Sequence, residues 1–110
     1  MASTYKVLGQ VSPSDTNAAV LYTVPAGGQA VISTLTITNV TAASDTYDVY
    51  VGVDGAAIAD TNALAKGVTI AGNTVVTLTL GITADANDVI SVKSGTGSAL
   101  TYHAFGLEIS

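Results

Sequence analysis

Apolar and hydroxyl-bearing side chains alternate with a period of two along most of this 110-residue chain. Tyr47, Val49, Val51 and Val53 alternate with Asp48, Tyr50, Gly52 and Asp54. Val76, Leu78, Leu80 and Ile82 alternate with Thr77, Thr79 and Gly81, and Leu35 and Ile37 alternate with Thr34, Thr36 and Thr38. Successive strand side chains point to opposite faces, so this period predicts half-buried strands with a Thr-rich outer face. Val and Thr suit that setting because their branched Cβ packs well on a pleated surface.

Turn signals separate the runs at short intervals. Pro25-Ala26-Gly27-Gly28 divides residues 20–24 from residues 29–40, and Ala71-Gly72-Asn73 divides residues 67–70 from residues 74–82. Asp85-Ala86-Asn87 and the stretch from Ser94 to Ser98 close two further strands. Gly and Asn tolerate the positive φ angles of tight hairpins. About eight antiparallel strands in this rhythm predict an all-β fold, a single β-sandwich of jelly-roll type. The expected core holds Leu35, Ile37, Val49, Val51, Val76, Leu78, Leu80, Val89 and Phe105. Residues 56–64 are Ala-rich but lack an apolar stripe, which predicts a loop or one helical turn. Residues 1–18 read as an extended N-terminal arm, with a possible strand over 5–11 and a polar, mobile stretch over 12–17. Residues 19–110 read as the sandwich domain.

Length and composition narrow the function. One domain of this size buries roughly 65% of its unfolded surface, enough for a core without staples. No Cys is present, which excludes disulfides and thiolate zinc sites. Lys6, Lys66 and Lys93 are the whole basic complement, set against eight carboxylates for a net charge of −5. Phosphate backbones require clustered Lys and Arg, so no nucleic acid is expected as partner, and no anionic membrane either. No basic and apolar leader opens the chain, so synthesis in a cytoplasm is expected. At 48% hydrophobic and 10% charged, the chain lacks the mixed charge that keeps small monomers soluble, which points to a surface covered by neighbouring subunits.

Chemistry-bearing residues are few. His103 is the single histidine and lies inside the last predicted strand, without the base-orienting group that nucleophilic catalysis needs. Asp45 with Asp48, and Asp85 with Asp88, are the nearest carboxylate pairs. Each flanks a strand boundary, where Asp caps turns by accepting backbone N–H. The Asp85–Asp88 loop is the best place for a weak Ca²⁺ site, but it lacks EF-hand spacing. The glycines form no phosphate-binding motif. Asn39-Val40-Thr41 matches a glycosylation sequon, read as chance. No catalytic, cofactor or metal residue is assigned, and no enzyme is expected. The tyrosines Tyr5, Tyr22, Tyr47, Tyr50 and Tyr102 say more, because Tyr is enriched at interfaces. Tyr47 falls on the apolar face. Tyr50 falls on the polar face, as a solvated residue or a contact.

Three stretches carry a family resemblance. They are Leu21-Tyr22-Thr23-Val24-Pro25-Ala26-Gly27 running into Gln29 to Asn39, then Leu78 to Ile82 with Asp88 to Val92, then Ala104-Phe105-Gly106-Leu107-Glu108-Ile109. Over residues 19–109 this resembles small β-rich virion proteins of tailed phages, cyanophages among them. The resemblance implies a virion role but carries over no site residue. It leads to a capsid decoration (cement) protein, bound to the major capsid protein at the capsid surface and assembled as a homo-oligomer, a trimer favoured. Two alternatives stand beside it. One is a tail, neck or baseplate component, including a receptor- or glycan-binding head. The other is a non-viral carbohydrate-binding module, disfavoured by the lack of Trp.

Overall fold

A computed structural model describes residues 3–110. The nine strands are β1 (Ser3–Val11), β2 (Ala19–Thr23), β3 (Gln29–Asn39), β4 (Asp45–Gly52), β5 (Ala63–Ile70), β6 (Val75–Leu78), β7 (Ile82–Asp85), β8 (Val89–Ser94) and β9 (Leu100–Ile109). One sheet runs β1-β9-β3-β6, with β7 also on β3, and the other runs β2-β8-β4-β5. Both sheets are antiparallel. Strands β6 and β7 pair with consecutive halves of β3, Leu35 to Thr38 and Gln29 to Ile32, so they are one interrupted strand. Counted that way, the order is 1-8-3-6 over 2-7-4-5, a jelly roll of two facing sheets.

The interruption differs from the single strand predicted over 74–82. Gly81 takes φ 61° and breaks the pleat, so the alternation does not continue through it. Leu80, expected in the core, is therefore turned out and 48% exposed. Leu35, Ile37 and Val49 are core residues as expected, and Val51, Val76 and Leu78 pack half-buried against them. Val89 and Phe105 point away from the core. Buried Ile90 sets the phase of β8, and buried Tyr102 and Ala104 set that of β9, so their neighbours must face outward. Residues 56–64 form loop and a short 3₁₀ turn, Asp60–Asn62. A second 3₁₀ turn, Val53–Gly55, precedes it.

The stretch read as an arm contributes β1, an edge strand laid along β9 from Ser3 to Val11. Leu8 is the extra residue of a bulge between Val7 and Gly9, and the bulge turns it into the core. Of the residues that follow, Ser12 and Pro13 are bonded to the start of β9 and the turn before it. The Ser98 N–H donates to Pro13 O at 2.8 Å, and Ser12 Oγ donates to Leu100 O at 3.3 Å. Pro25 to Gly28 forms the expected tight turn, closed by the Gly28 N–H on Pro25 O with Gly27 at φ 77°.

Candidate interaction faces

Each sheet has an outer face, and the two are built differently. On the sheet β1-β9-β3-β6/β7, alternation from buried Leu100, Tyr102 and Ala104 places Thr101, His103, Phe105 and Leu107 outside. Directly paired residues of antiparallel strands share a face. Tyr5, Leu107, Val31 and Thr83 therefore form one row, and Val7, Phe105 and Thr34 the next. Gln10, His103, Thr36 and Thr77 form a third. Tyr5 is 85% exposed. The His103 ring stands edge-on to Phe105, with centroids 5.9 Å apart. These three rows contain no Asp, Glu, Lys or Arg.

The other outer face is charged and partly roofed. Asp48 on β4 is paired with Lys93 on β8. Tyr50 also points to this side, as expected from its parity, but it is neither solvated nor free for contact: it is 4% exposed. The chain between β4 and β5 crosses here, with Asp60–Asn62 against β4 and Tyr50 paired with Ala63. Tyr50 Oη donates to Asp48 Oδ2 at 2.8 Å, while Asp48 Oδ1 accepts the Gly67 N–H at 2.7 Å. Burial first, then the Asp48 carboxylate, push the Tyr50 phenol above its ordinary value. Lys66 pairs with Asp60 at the rim.

The carboxylate pairs singled out from the sequence serve the backbone. Asp45 Oδ2 accepts the Thr96 N–H at 3.1 Å. Asp88, itself buried, accepts the Asp54 N–H at 3.0 Å with Oδ1 and the Asp85 N–H at 2.9 Å with Oδ2. Asp85 turns its own Oδ1 to the Ala86 N–H. Thus Asp88 ties the start of the β4–β5 crossing to the β7–β8 turn. Asn39 of the sequon is 1% exposed, and its amide serves Thr41, Ala43 and Ile70. A sugar could not reach it without unfolding the end of β3.

Two tyrosines link the sheets. Tyr102 is fully buried and donates to Lys93 O at 3.0 Å, with Ser94 Oγ at 2.9 Å. Burial pushes its phenol up to about 12. Tyr22 Oη donates to Glu108 Oε2 at 2.5 Å, and Lys6 Nζ lies 3.1 Å from Glu108 Oε1. The bond from Tyr22, followed by that from Lys6, holds the Glu108 carboxyl below its ordinary value. Tyr5 is thus the one tyrosine left open to a partner, and the sequence reading of Tyr50 missed it. The missing signal was register: Tyr5 belongs with Leu107 only once β1 is laid on β9.

No protein-family model matches the chain, and no curated protein matches it. Among solved structures, the chain is similar to one described as "Structure of infectious bursal disease virus Gx strain", at 15% identity and a TM-score of 0.43. The match covers 97% of this chain and 31% of that one, so the chain spans about a third of its neighbour's length.

Proposed function

We propose that the chain is a virion structural protein, and specifically a capsid decoration protein that binds the major capsid protein on the mature shell. The observation that carries this reading is the jelly-roll strand order, an architecture shared by viral capsid and lectin domains and by cupins. Fold alone does not fix function, so the surface must separate these uses. Sugar recognition favours clustered exposed aromatics, whereas here four of the five tyrosines are buried. The resemblance to tailed-phage virion proteins falls on β2, β3 and β6 to β9, strands from both sheets. A cement protein works by mass action: it binds the assembled shell and not its dissociated parts, and so stabilises assembly. A rigid module suits this task. The Asp45 and Asp88 carboxylates clasp backbone N–H groups and stiffen the loops at the strand ends.

Cryo-electron microscopy of the parent particle tests the proposal. Jelly-roll density repeated across the icosahedral shell, above the capsid floor, is the expected result. Density confined to the tail or portal, or absent from the particle, overturns the decoration role.

A further inference from the structure

We infer that the outer face of the β1-β9-β3-β6/β7 sheet pairs with the same face of a second copy of this chain. This surface is independent of where on a particle the protein sits. Three observations select a second copy as the occupant. The first is charge. The chain carries −5 overall, yet the three rows through Tyr5, Val7 and His103 hold no carboxylate and no lysine. The centre of such a face can meet its own image with no like charges brought together, leaving only Asp85 at the rim of the next row. The second is area. With strands ~4.8 Å apart and ~3.4 Å per residue, four strands over the whole length of β9 offer on the order of 650 Å², a span whose end row carries Ile109, Gln29 and, at its rim, the Asp85 carboxylate. A standard interface takes about 600–1,000 Å² from each partner. The third is composition. Apolar Tyr5, Val7, Val31, Phe105 and Leu107 sit together, edged by threonines, as in an interface with an apolar centre and polar rim.

The geometry also sets the symmetry. One face meeting itself is an isologous contact, closed by a two-fold axis. The rows then stack sheet on sheet, at the ~10 Å spacing of face-packed sheets. The product is a pair, in place of the trimer favoured from the sequence. The roofed opposite face stays outside the contact.

Sedimentation equilibrium of the full chain over a concentration series tests this. The wild type should reach twice the chain mass. The double variant Tyr5→Glu with Val7→Glu changes two exposed side chains and would place carboxylates against the partner's apolar rows, so association should weaken about a hundredfold or more. Its far-ultraviolet circular dichroism should match the wild type. Val53→Glu, exposed beside the roofed face, should leave the mass unchanged. A wild type that stays single at its highest soluble concentration overturns the inference. So does a folded double variant that still pairs, or a Val53→Glu variant that dissociates equally. Loss of shell binding by the double variant from a single-chain state would assign the face to the capsid instead.

Discussion

The two outer faces come from the same kind of sequence, yet the chain treats them oppositely. Over β2-β8-β4-β5 it covers part of the face with its own residues, folding Asp60–Asn62 against β4 where Tyr50 is 4% exposed. Over β1-β9-β3-β6/β7 it builds nothing, and Phe105, Leu107 and Tyr5 face out. An aromatic on the first face is satisfied within the molecule, with its hydroxyl on Asp48. An aromatic on the second, such as Tyr5 at 85% exposed, is left to solvent or to a partner. Alternation alone makes both faces look like solvated, Thr-rich surfaces. The difference lies in where the connections run: residues 53–62 between β4 and β5 are long enough to double back, while residues 95–99 between β8 and β9 are not.

The most disruptive way to break this contrast is to part the strands that carry the bare face. Gly106 lies on β9 where β3 carries a bulge between Ile32 and Thr34, and a Cβ there would come 1.9 Å from Val31 O. That contact is with backbone, so β9 and β3 must separate. Gly106→Ala should cost at least about 3 kcal/mol, at the upper end for overpacking. The loss would read as a lower urea midpoint. It should also abolish pairing of copies, because the rows no longer lie flat. A variant as stable as the wild type would show that the β3–β9 contact is looser than this register requires.

Removing the clasp of the roof should have a smaller effect, confined to the other face. Asp88→Ala leaves the Asp54 and Asp85 N–H groups without their acceptor. Charge-assisted bonds of this kind contribute about 2 kcal/mol. Limited proteolysis should then cut between residues 53 and 62 faster than in the wild type. Pairing of copies should survive. Equal loss of pairing would mean that the two faces are coupled through the sandwich, and that the contrast drawn between them is too sharp.

How far the sequence carried this reading depends on which physical signal each feature leaves. Strand existence and the apolar phase of β3 and β4 were legible, because alternation is a local property: Leu35, Ile37, Tyr47 and Val49 are all buried. The phase failed at the bulges and breaks. Leu80 is lost from the core through one positive φ at Gly81, and Leu8 is gained through one extra residue in β1. Neither event changes the hydropathy pattern. The turn role of Asp45, Asp85 and Asp88 was legible, since Asp at strand ends favours backbone N–H, whereas Asp48 lies inside β4 and serves Gly67 of β5 and the Tyr50 hydroxyl. The bare face was not: it joins residues as far apart as Tyr5 and Leu107, and only strand order brings them together. The burial of Tyr50 was hidden for the same reason, because its cover comes from a segment that reads as plain loop.

The smallest expected effect tests that cover at a single atom. Tyr50→Phe removes one hydroxyl and its bond to Asp48 while the ring stays in place. At neutral pH this should lower stability by about 1 kcal/mol, the net contribution of a typical intramolecular hydrogen bond. Asp48 keeps its bond from Gly67, so the roof should stay closed and proteolysis should not change. The pH dependence gives a second reading. The folded phenol is raised above 10.0, so the unfolded chain gives up its proton first as pH climbs. The stability this tyrosine contributes is complete below pH 10 and declines as pH rises toward the folded value. Phe has no proton to lose, so the variant should lose less stability than the wild type across that alkaline window. The difference between the two unfolding curves should narrow above pH 10. Parallel curves would mean that water already reaches the phenol, and that the second face is as open as the first.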